Sequence, residues 1–372
     1  MYRLWMFRRS CTLVILFLNA LLFTGYLKRS SAGLSDAVMK FMRKGAFYST
    51  ASEINNYKCN LTLLMERCDC SRQFAINSDQ PCGDVTIKHN GNVKSNTLHG
   101  SITGHQKDHQ RISTCSTTAT MRGPRQQVVA YSLFGKFPNE YSDAIHLQAE
   151  SIKELYPGWV MRVYHDLDLT LETMQRWMCD LECRYPHLDF CDINNLPVLG
   201  DISSTAGSSW RVAVMGDLLV HQYAVRDLDS PIFQREADAV QEWIESKQCY
   251  HLMHDNHAHR APVLAGLWGG CSWWRPDEAM SMRNEMLNAT RLFHEDQRAL
   301  ADILWPEIQE NVLMHDSYHC MRYPESRPFP SQRFNLTYVG QRTYRAKYIT
   351  DRIVRECPYK CRPLQHQDWL YC

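Results

Sequence analysis

The stretch Val225-Arg226-Asp227-Leu228-Asp229-Ser230 decides how this sequence is interpreted. Two aspartates stand two positions apart there, at the end of a largely apolar run that begins at Leu218. Ser230 is a favoured N-cap residue and Pro231 suits the first turn of a helix, so the pattern predicts a buried strand, a short acidic turn and a helix. Carboxylates at such a turn are hard oxygen ligands that can share one divalent cation. The stretch therefore predicts a metal site at the end of a strand.

Strand and helix patterns alternate on the N-terminal side of this stretch. Residues 127–134 predict a buried strand, and apolar residues then recur at helical spacing until Tyr156-Pro157-Gly158. Residues 159–164 predict the next strand. A strand, a helix and a strand within about forty residues indicate a βαβ unit, whose strands pair in parallel. We expect an α/β fold with a Rossmann-like, mixed and mainly parallel sheet flanked by helices.

The same alternation continues to the C-terminal side. Helices are predicted from residue 231, over 277–288, and from 295 to 304 before Trp305-Pro306. On the first of these we expect the outer carboxylates to be solvated: Glu236, Asp238, Glu242 and Glu245. Further predicted strands cover 188–193, 250–255 and 311–316, with a glycine-rich apolar stretch at 263–270. The final fifty or so residues form a basic, proline-punctuated tail, which we assign to the same domain.

The N-terminus carries a targeting signal. Residues 11–27 contain no charge, and arginines precede them while Lys28 and Arg29 follow. Such a stretch is at the lower length limit for spanning a bilayer, so we expect a transmembrane signal anchor after a cytoplasmic tail of residues 1–10. The alternative is a signal peptide cleaved near Ser30, which would release a secreted protein. Either way, residues 28–124 form a predicted lumenal stem and residues 125–372 the main domain.

Two features agree with a secretory compartment. Fourteen of the fifteen cysteines follow the apolar segment, and an even number favours disulfides there over zinc at pairs such as Cys357 and Cys361. Three glycosylation sequons begin at Asn60, Asn288 and Asn335. The formal net charge of +1 and the 11% aromatic content exclude a charge signature for nucleic-acid binding and a composition typical of global disorder.

A second Asp-x-Asp occurs at Asp166 and Asp168. Its position after a predicted strand matches the nucleophile motif of haloacid-dehalogenase-like phosphohydrolases, in which the first aspartate attacks phosphorus. A helix-capping role for Asp168 is the simpler explanation.

The order of motifs between about Val128 and Gly340 resembles nucleotide-sugar-dependent glycosyltransferases of the GT-A type. The motifs are Tyr131-Ser132-Leu133-Phe134-Gly135, Tyr156-Pro157-Gly158-Trp159, Arg226-Asp227-Leu228-Asp229-Ser230, Leu264-Ala265-Gly266-Leu267-Trp268-Gly269 and His315-Asp316-Ser317. The order of anchor, stem and catalytic domain is also similar to that of Golgi type II membrane glycosyltransferases. The resemblance implies Mn²⁺ or Mg²⁺ between the Asp-x-Asp and the diphosphate of a nucleotide-sugar donor.

The resemblance also implies roles for particular residues. The metal ligands would be Asp227, Asp229 and, as a third, His315, for which a strand-end histidine without function is the alternative. The catalytic base would come from Asp255, Glu295 or Asp296, although the latter two also suit a helix N-terminus. The donor contacts would be Tyr131, Ser132, Arg211, Asp217, Arg226, Gly266 and Trp268, for which salt bridges, core packing and a tight turn are the alternatives.

These inferences together predict a metal-dependent glycosyltransferase with a nucleotide-sugar donor and a glycan, glycoprotein or glycolipid acceptor. It would be a Golgi membrane protein with its catalytic domain in the lumen. Two other functions are consistent with parts of the sequence. One is a catalytically inactive, lectin-like or adhesive ectodomain, and the other is the phosphohydrolase centred on Asp166.

Overall fold

The computed structural model describes residues 73–76, 85–89, 92–96, 112–135, 140–293, 296–342 and 352–372. The predicted anchor at 11–27, the first sequon at Asn60 and the candidate base Glu295 lie outside these residues. Within the described part of the chain, no helix is both long and apolar enough to cross a membrane.

A small antiparallel sheet lies in the predicted stem. Its strands are β1 (Gln73–Ile76), β2 (Val85–His89) and β3 (Asn92–Asn96), and β2 pairs with both of the others.

A seven-stranded sheet forms the main domain. Its strands are β4 (Gln126–Leu133), β5 (Val160–His165), β6 (Leu188–Asp192), β7 (Val220–Arg226), β8 (Tyr250–His254), β9 (Leu267–Cys271) and β10 (Val312–Asp316). They lie in the order β10-β8-β9-β7-β4-β5-β6. Strand β9 pairs antiparallel with β7 and β8, and the other pairings are parallel, which confirms the predicted mixed, mainly parallel sheet.

The order of the strands produces a switch point between β4 and β7. From β4 the chain proceeds outward through β5 and β6, and it then returns to place β7 on the other side of β4. Because β9 is antiparallel to both β7 and β8, the carboxyl ends of β4, β7, β8 and β10 all lie at one edge of the sheet. In open α/β sheets, ligands bind in the crevice outside the carboxyl ends at such a point.

Helices cover both faces of the sheet. They are α1 (Thr117–Met121), α2 (Glu140–Leu155), α3 (Glu172–Arg184), α4 (Gln234–Ser246), α5 (Pro276–Phe293), α6 (Asp296–Ala299) and α7 (Trp305–Ile308), with a 3₁₀ helix at Gly207–Val214 and a π turn at Leu300–Leu304. Successive residues of β4 alternate between two hydrophobic clusters, as the pleat requires. One cluster contains Val128 and the helix residue Met286, and the other contains Val129 and the α2 residue Ile145.

Two helix boundaries differ from the prediction. Helix α4 begins at Gln234 rather than directly after Ser230, whose hydroxyl instead donates to the carbonyl of Gly340 at 3.3 Å. The helix predicted to stop at Pro306 continues to Ile308, because proline is accepted in the first turn of α7. The end of α2 is as predicted, and Gly158 there has a φ of +86°, which favours glycine.

Disulfides confirm the interpretation of the cysteines. Four pairs are described: Cys115–Cys191, Cys249–Cys271, Cys320–Cys361 and Cys357–Cys372. Cys357 and Cys361, which were weighed as zinc ligands, thus belong to two different disulfides that fasten the C-terminal tail.

Candidate functional site

Asp227 and Asp229 lie at the carboxyl end of β7, beside the end of β4. Ala130 of β4 pairs with Val225 of β7, so that Ser132 and Asp227 follow two residues later in each strand. The Asp227 side chain is 35% exposed and the Asp229 side chain 24% exposed, so both carboxylates reach solvent. The predicted acidic turn is therefore found at the switch point of the sheet.

Arg211 joins this turn to two other segments. Its guanidinium donates to the Asp227 carboxylate, to the Arg226 carbonyl at 2.8 Å and to the Asp296 carboxylate at 3.2 Å. Its backbone N–H donates to the Ser132 hydroxyl at 3.0 Å. Four of the predicted site residues (Ser132, Arg211, Asp227 and Asp296) are thus brought together around one buried guanidinium.

Gly266 provides the space for the Asp227 carboxylate. A Cβ atom at this position would lie 2.2 Å from the Asp227 Oδ2 atom, so any larger residue would displace the carboxylate. The loop that carries Gly266 is held by Gln297, whose amide accepts from the Ala265 N–H at 3.1 Å and donates to the Val263 carbonyl. Gly266, predicted as a donor contact, therefore lies against the Asp227 carboxylate.

The two carboxylates of the turn have opposite pKa shifts. Burial raises the pKa of Asp227, but the adjacent Arg211 outweighs burial and the net pKa is lowered. Burial and then the negative charge of Asp227 raise the pKa of Asp229. Arg342, with its Nε 3.6 Å from the Asp229 Oδ2, only partly offsets this. Burial and the neighbouring charge therefore make ionisation of Asp229 less favourable than that of Asp227.

The backbone of the turn is held from α2. The Gln148 amide donates to the carbonyls of Leu228 at 3.0 Å and Ser230 at 2.8 Å. The buried Tyr131 hydroxyl donates to the Gln148 Oε1 at 3.2 Å. Tyr131, predicted as a donor contact, therefore lies behind the turn and supports it.

Three further residues at the site were not predicted from the sequence: Gln148, Gln297 and Arg342. Gln148 fits the helical stripe of α2, and nothing local distinguishes its role from packing. Gln297 follows a candidate base and Arg342 lies in a basic tail. Their functions depend on contacts with residues far away in the chain, for which the sequence carries no local signal.

Arg226 was predicted to contact the nucleotide-sugar donor, but it pairs with a residue of the protein. It forms an ion pair of 2.7 Å with Glu236 of α4, and neither side chain is exposed. The Tyr156 hydroxyl donates to the same carboxylate at 3.0 Å. The prediction that Glu236 belongs to a solvated face is wrong, because the helix turns this residue toward the charged end of β7.

The third-ligand prediction for His315 does not fit the structure. Its Nδ1 is 2.8 Å from the Nε2 of His251, and its own Nε2 is 3.1 Å from the Glu242 carboxylate. The ring is fully buried on β10, three strands away from β7 in the sheet. Both ring nitrogens are therefore committed to structural hydrogen bonds.

Two residues that were predicted to contact the nucleotide-sugar donor lie in the protein interior. Asp217 precedes the amino end of β7, opposite the site, and accepts from Arg162 and from the Ser113 hydroxyl, each at 2.7 Å. Trp268 is 1% exposed and packs edge-on against Tyr223. Asp217 therefore forms a structural salt bridge and Trp268 is a core residue, which are the alternatives to donor binding.

The candidate bases are separated by the fold. Asp255 is fully buried after β8, where Arg235, Arg333 and the Ser317 hydroxyl donate to its carboxylate at 3.0, 2.7 and 2.7 Å. An acceptor cannot reach such a group, which corrects the prediction for Asp255. Asp296 is 16% exposed and adjoins the site through Arg211.

The second Asp-x-Asp has a local structural role. The Asp168 carboxylate accepts from the Thr170 N–H at 2.9 Å and from the Thr170 hydroxyl at 2.6 Å, in the turn before α3. Asp166 is exposed at the end of β5. Of the predicted glycosylation sites, Asn288 on α5 and Asn335 in the tail are exposed.

The acidic turn suits a hard cation that shares its shell with a substrate. Within the described residues, no group of three or more His, Cys, Asp or Glu side chains is placed to hold a metal. Magnesium-type sites commonly use one or two carboxylates and complete the shell with water and substrate phosphates. Asp227 and Asp229, with the space left by Gly266, fit this kind of site.

Comparisons with known proteins add little to this description. No protein-family model matches the sequence, and no curated protein sequence matches it. One similar solved structure is that of a glycosyltransferase involved in the glycosylation of the major capsid of PBCV-1. It is 14% identical, with a TM-score of 0.30, over 54% of this chain and 88% of that chain. A similarity of this size carries no argument about activity.

Proposed function

We propose that this chain is a metal-dependent glycosyltransferase of the GT-A type, which moves a sugar from a nucleotide-sugar donor to a glycan or glycoconjugate acceptor. One observation carries the proposal. Two partly exposed carboxylates lie at the switch point of a mainly parallel sheet, and burial together with the charge of Asp227 raises the pKa of Asp229. A pair of carboxylates beyond the carboxyl ends of parallel strands suits a cation that bears a diphosphate.

The residues of the turn would hold Mn²⁺ or Mg²⁺. Asp227 and Asp229 would be its protein ligands, together with phosphate oxygens and water. When bound, the cation offsets the negative charge that develops on a diphosphate leaving group.

The chain's own residues fix the geometry of the carboxylates and add positive charge. Arg211 orients the Asp227 carboxylate, and Gln148 fixes the backbone of the turn. Arg342 is 76% exposed beside Asp229, so its guanidinium is available to the donor phosphates. Preorganised charges of this kind stabilise a transition state without reorganising during the reaction.

The crevice outside β4 receives the rest of the donor. Phe134 is 45% exposed at the end of this strand and packs edge-on against Trp210, with ring centroids 6.0 Å apart. An exposed aromatic surface beside a phosphate site suits stacking by a nucleobase. Ser132 takes part by holding the backbone of Arg211.

Asp296 is the described candidate base that adjoins this site. Its carboxylate is held by Arg211, 3.2 Å away, which also binds Asp227. In a reaction that inverts the configuration at the anomeric carbon of the sugar, Asp296 would accept the proton of the acceptor hydroxyl. The Golgi localisation and the membrane anchor remain predictions from the N-terminal sequence.

The proposal is tested by donor hydrolysis. The full chain is incubated with a panel of nucleotide sugars in Mn²⁺ and in chelator, together with Asp227→Asn, Asp229→Asn and the control Asp166→Asn. We expect chelator to abolish hydrolysis and either turn variant to reduce it by about 100-fold or more, since each removes preorganised charge stabilisation. Asp166→Asn should match the unmodified chain.

Three results would contradict this expectation in different ways. Metal-dependent hydrolysis that survives in both turn variants would show that the cation binds elsewhere. A loss confined to Asp166→Asn would favour the phosphohydrolase. Absence of nucleotide binding in calorimetry would favour the inactive ectodomain.

A further inference from the structure

A second cavity opens at the carboxyl edge of the sheet, beyond β8 and β10. Its volume is about 310 Å³. Three segments form its wall: the loop after β8, the loop after β10 and the C-terminal tail. The side chains that matter here are His257, Arg260, Tyr318, His319, Arg322 and Arg355.

The cavity wall is basic. Arg260, Arg322 and Arg355 come from three different segments, and no carboxylate is among the lining residues. Within the described residues, none of these three arginines takes part in an ion pair. His257 also contributes a buried Nδ1 atom that has no hydrogen-bond partner there. Buried polar atoms are normally satisfied, so this unpaired imidazole nitrogen is an exception within the wall of the cavity.

Local contacts hold the wall together. The Arg322 guanidinium donates to the Arg260 carbonyl at 3.0 Å, which ties the two loops to each other. The Tyr318 hydroxyl donates to the Arg355 carbonyl at 2.7 Å, which ties the tail to the loop after β10. The Cys320–Cys361 disulfide joins the same two segments covalently. The convergence of the arginines is therefore built into the fold and does not depend on flexible side chains alone.

The cavity and the acidic turn share one edge of the sheet. In the strand order, β8 lies two strands from β7 and β10 lies three, which corresponds to roughly 10–15 Å at ordinary strand spacing. The turn itself concentrates negative charge and takes a cation, whereas this cavity concentrates positive charge. A single substrate complex can thus place a donor at the turn and an acceptor group in the cavity.

We infer that this cavity binds an anionic group of the acceptor, a carboxylate, sulfate ester or phosphate ester on a sugar. The identification of the bound molecule as the acceptor rests on the proposed glycosyltransferase function. The negative charge of its bound group is inferred from the cavity alone. Guanidinium groups bind planar or tetrahedral oxyanions through paired N–H donors. The volume is at the lower end for ligand sites and suits one charged sugar residue.

Calorimetric titration of the full chain with charged monosaccharides tests this inference. The probes are glucuronate, glucose 6-sulfate and glucose 6-phosphate, with glucose as the neutral control, in the absence of metal and nucleotide. We expect binding of at least one charged probe and none of glucose. Arg260→Ala and Arg322→Ala should each weaken binding about tenfold, as expected for one charge-assisted hydrogen-bonded contact. The preferred probe identifies the kind of anion.

Two further variants separate recognition from folding. Arg322→Lys keeps the charge but loses the paired donors, so it should bind more weakly than the unmodified chain and more tightly than Arg322→Ala. Arg176→Ala removes an exposed arginine of α3 that pairs with Glu172, and it should bind normally. Equal binding of glucose and the charged probes, or equal weakening in Arg176→Ala and Arg322→Ala, would overturn the inference.

Donor hydrolysis distinguishes failure of this inference from failure of the proposed function. Arg322→Ala should leave metal-dependent donor hydrolysis unchanged and raise KM for a charged acceptor about tenfold, because the cavity lies away from the acidic turn. Asp227→Asn should remove hydrolysis and leave anion binding intact. If anions bind but no donor is hydrolysed, the cavity is confirmed as an anion site and the proposed function is wrong.

Discussion

Asp227 and Asp229 are separated by a single residue, yet their pKa values shift in opposite directions from the ordinary value. Arg211 is in direct contact with Asp227 and lowers its pKa, whereas Asp229 is affected first by burial and then by the charge of Asp227. An added cation would stabilise both charges together. A bound cation would thus offset the charge that Asp227 imposes on Asp229 and oppose protonation of Asp229, which is the chemical basis of the proposed metal site.

Gly266→Ala tests the geometry at this scale. The new Cβ would lie 2.2 Å from the Asp227 Oδ2, so the carboxylate must move away from its position beside Arg211. We expect donor hydrolysis to fall by about 100-fold, as for loss of one preorganised charge. The free energy of unfolding should fall by about 1–3 kcal/mol, the usual range for an overpacked site. Hydrolysis assays and urea denaturation measure the two effects.

Gly200→Ala is a matched control for that substitution. Gly200 has a φ of +69° and no atom within 4 Å of the added Cβ, so alanine strains the backbone without touching the turn. We expect a loss of stability of about 1–2 kcal/mol with unchanged hydrolysis. Unchanged hydrolysis in Gly266→Ala would show that the position of Asp227 does not limit the reaction.

Some charged residues on the helices have partners on the sheet. Which partner each residue meets depends on the strand against which its helix packs. Glu236 on α4 pairs with Arg226 of β7, and Glu182 on α3 approaches β6. The Glu236 side chain is fully removed from solvent, whereas Glu182 is half-buried. Removing one partner of a buried pair such as Arg226–Glu236 leaves an uncompensated charge, so these helices are held in a defined rotation.

The stability of the contact between α3 and β6 should depend on pH because of Glu182. Burial and then the nearby Asp189 raise the pKa of Glu182 from 4.5 to about 7. Because the folded pKa lies above the unfolded value, the folded state binds more protons in this range, and stability is lost as the pH rises through it. We expect Glu182→Gln to raise Tm relative to the unmodified chain at about pH 8, and to have little effect near pH 4.

Thermal unfolding across pH provides the measurement for this helix. Glu172→Gln on the same helix is the control, because the Glu172 side chain is 83% exposed and should change Tm little at any pH. An identical pH profile in Glu182→Gln and the unmodified chain would contradict the assignment of this slope to Glu182.

At the scale of the whole molecule, one of the described disulfides connects the C-terminal tail to the loop after β10, and another lies within the tail. Cys320–Cys361 closes a loop of 41 residues and Cys357–Cys372 one of 15. Cys249–Cys271 lies in the core, where it joins the segments of β8 and β9. The tail thus packs at this edge of the sheet and supplies one wall of the basic cavity.

Replacing Cys320 and Cys361 by alanine tests how far the tail shapes the cavity. We expect the free energy of unfolding to fall by about 2–4 kcal/mol and anion binding to weaken, because the Arg355 segment loses its covalent attachment. The Cys249→Ala and Cys271→Ala double variant is the control: it should lose similar stability and keep anion binding. Denaturant unfolding and calorimetry report both quantities, and full anion affinity without the Cys320–Cys361 bond would contradict this account.

Much of the fold was predictable because its signals are local. Alternating strand and helix patterns predicted the mixed, mainly parallel sheet, and Tyr156-Pro157-Gly158 marked the end of α2. The acidic turn at Asp227 and Asp229 was recognised from its position after an apolar strand. These features follow from the periodicity of side chains and from backbone preferences within a few residues.

The surroundings of the turn were not predictable in this way. His315, Asp217 and Asp255 carry suitable chemistry, but the fold places each in a buried network with other partners. Arg211, Asp296 and Gly266 were candidates among several, and only the structure brings them to Asp227.

The sequence by itself determined the class of fold, the acidic turn and the dependence on disulfides, since each is encoded within one short segment or by composition. The tertiary structure alone decided which charges meet. Ion pairs such as Arg211–Asp227, and the convergence of Arg260, Arg322 and Arg355, join segments far apart in the chain. Whether such groups touch depends on strand order and on the rotation of packed helices, which no local pattern specifies.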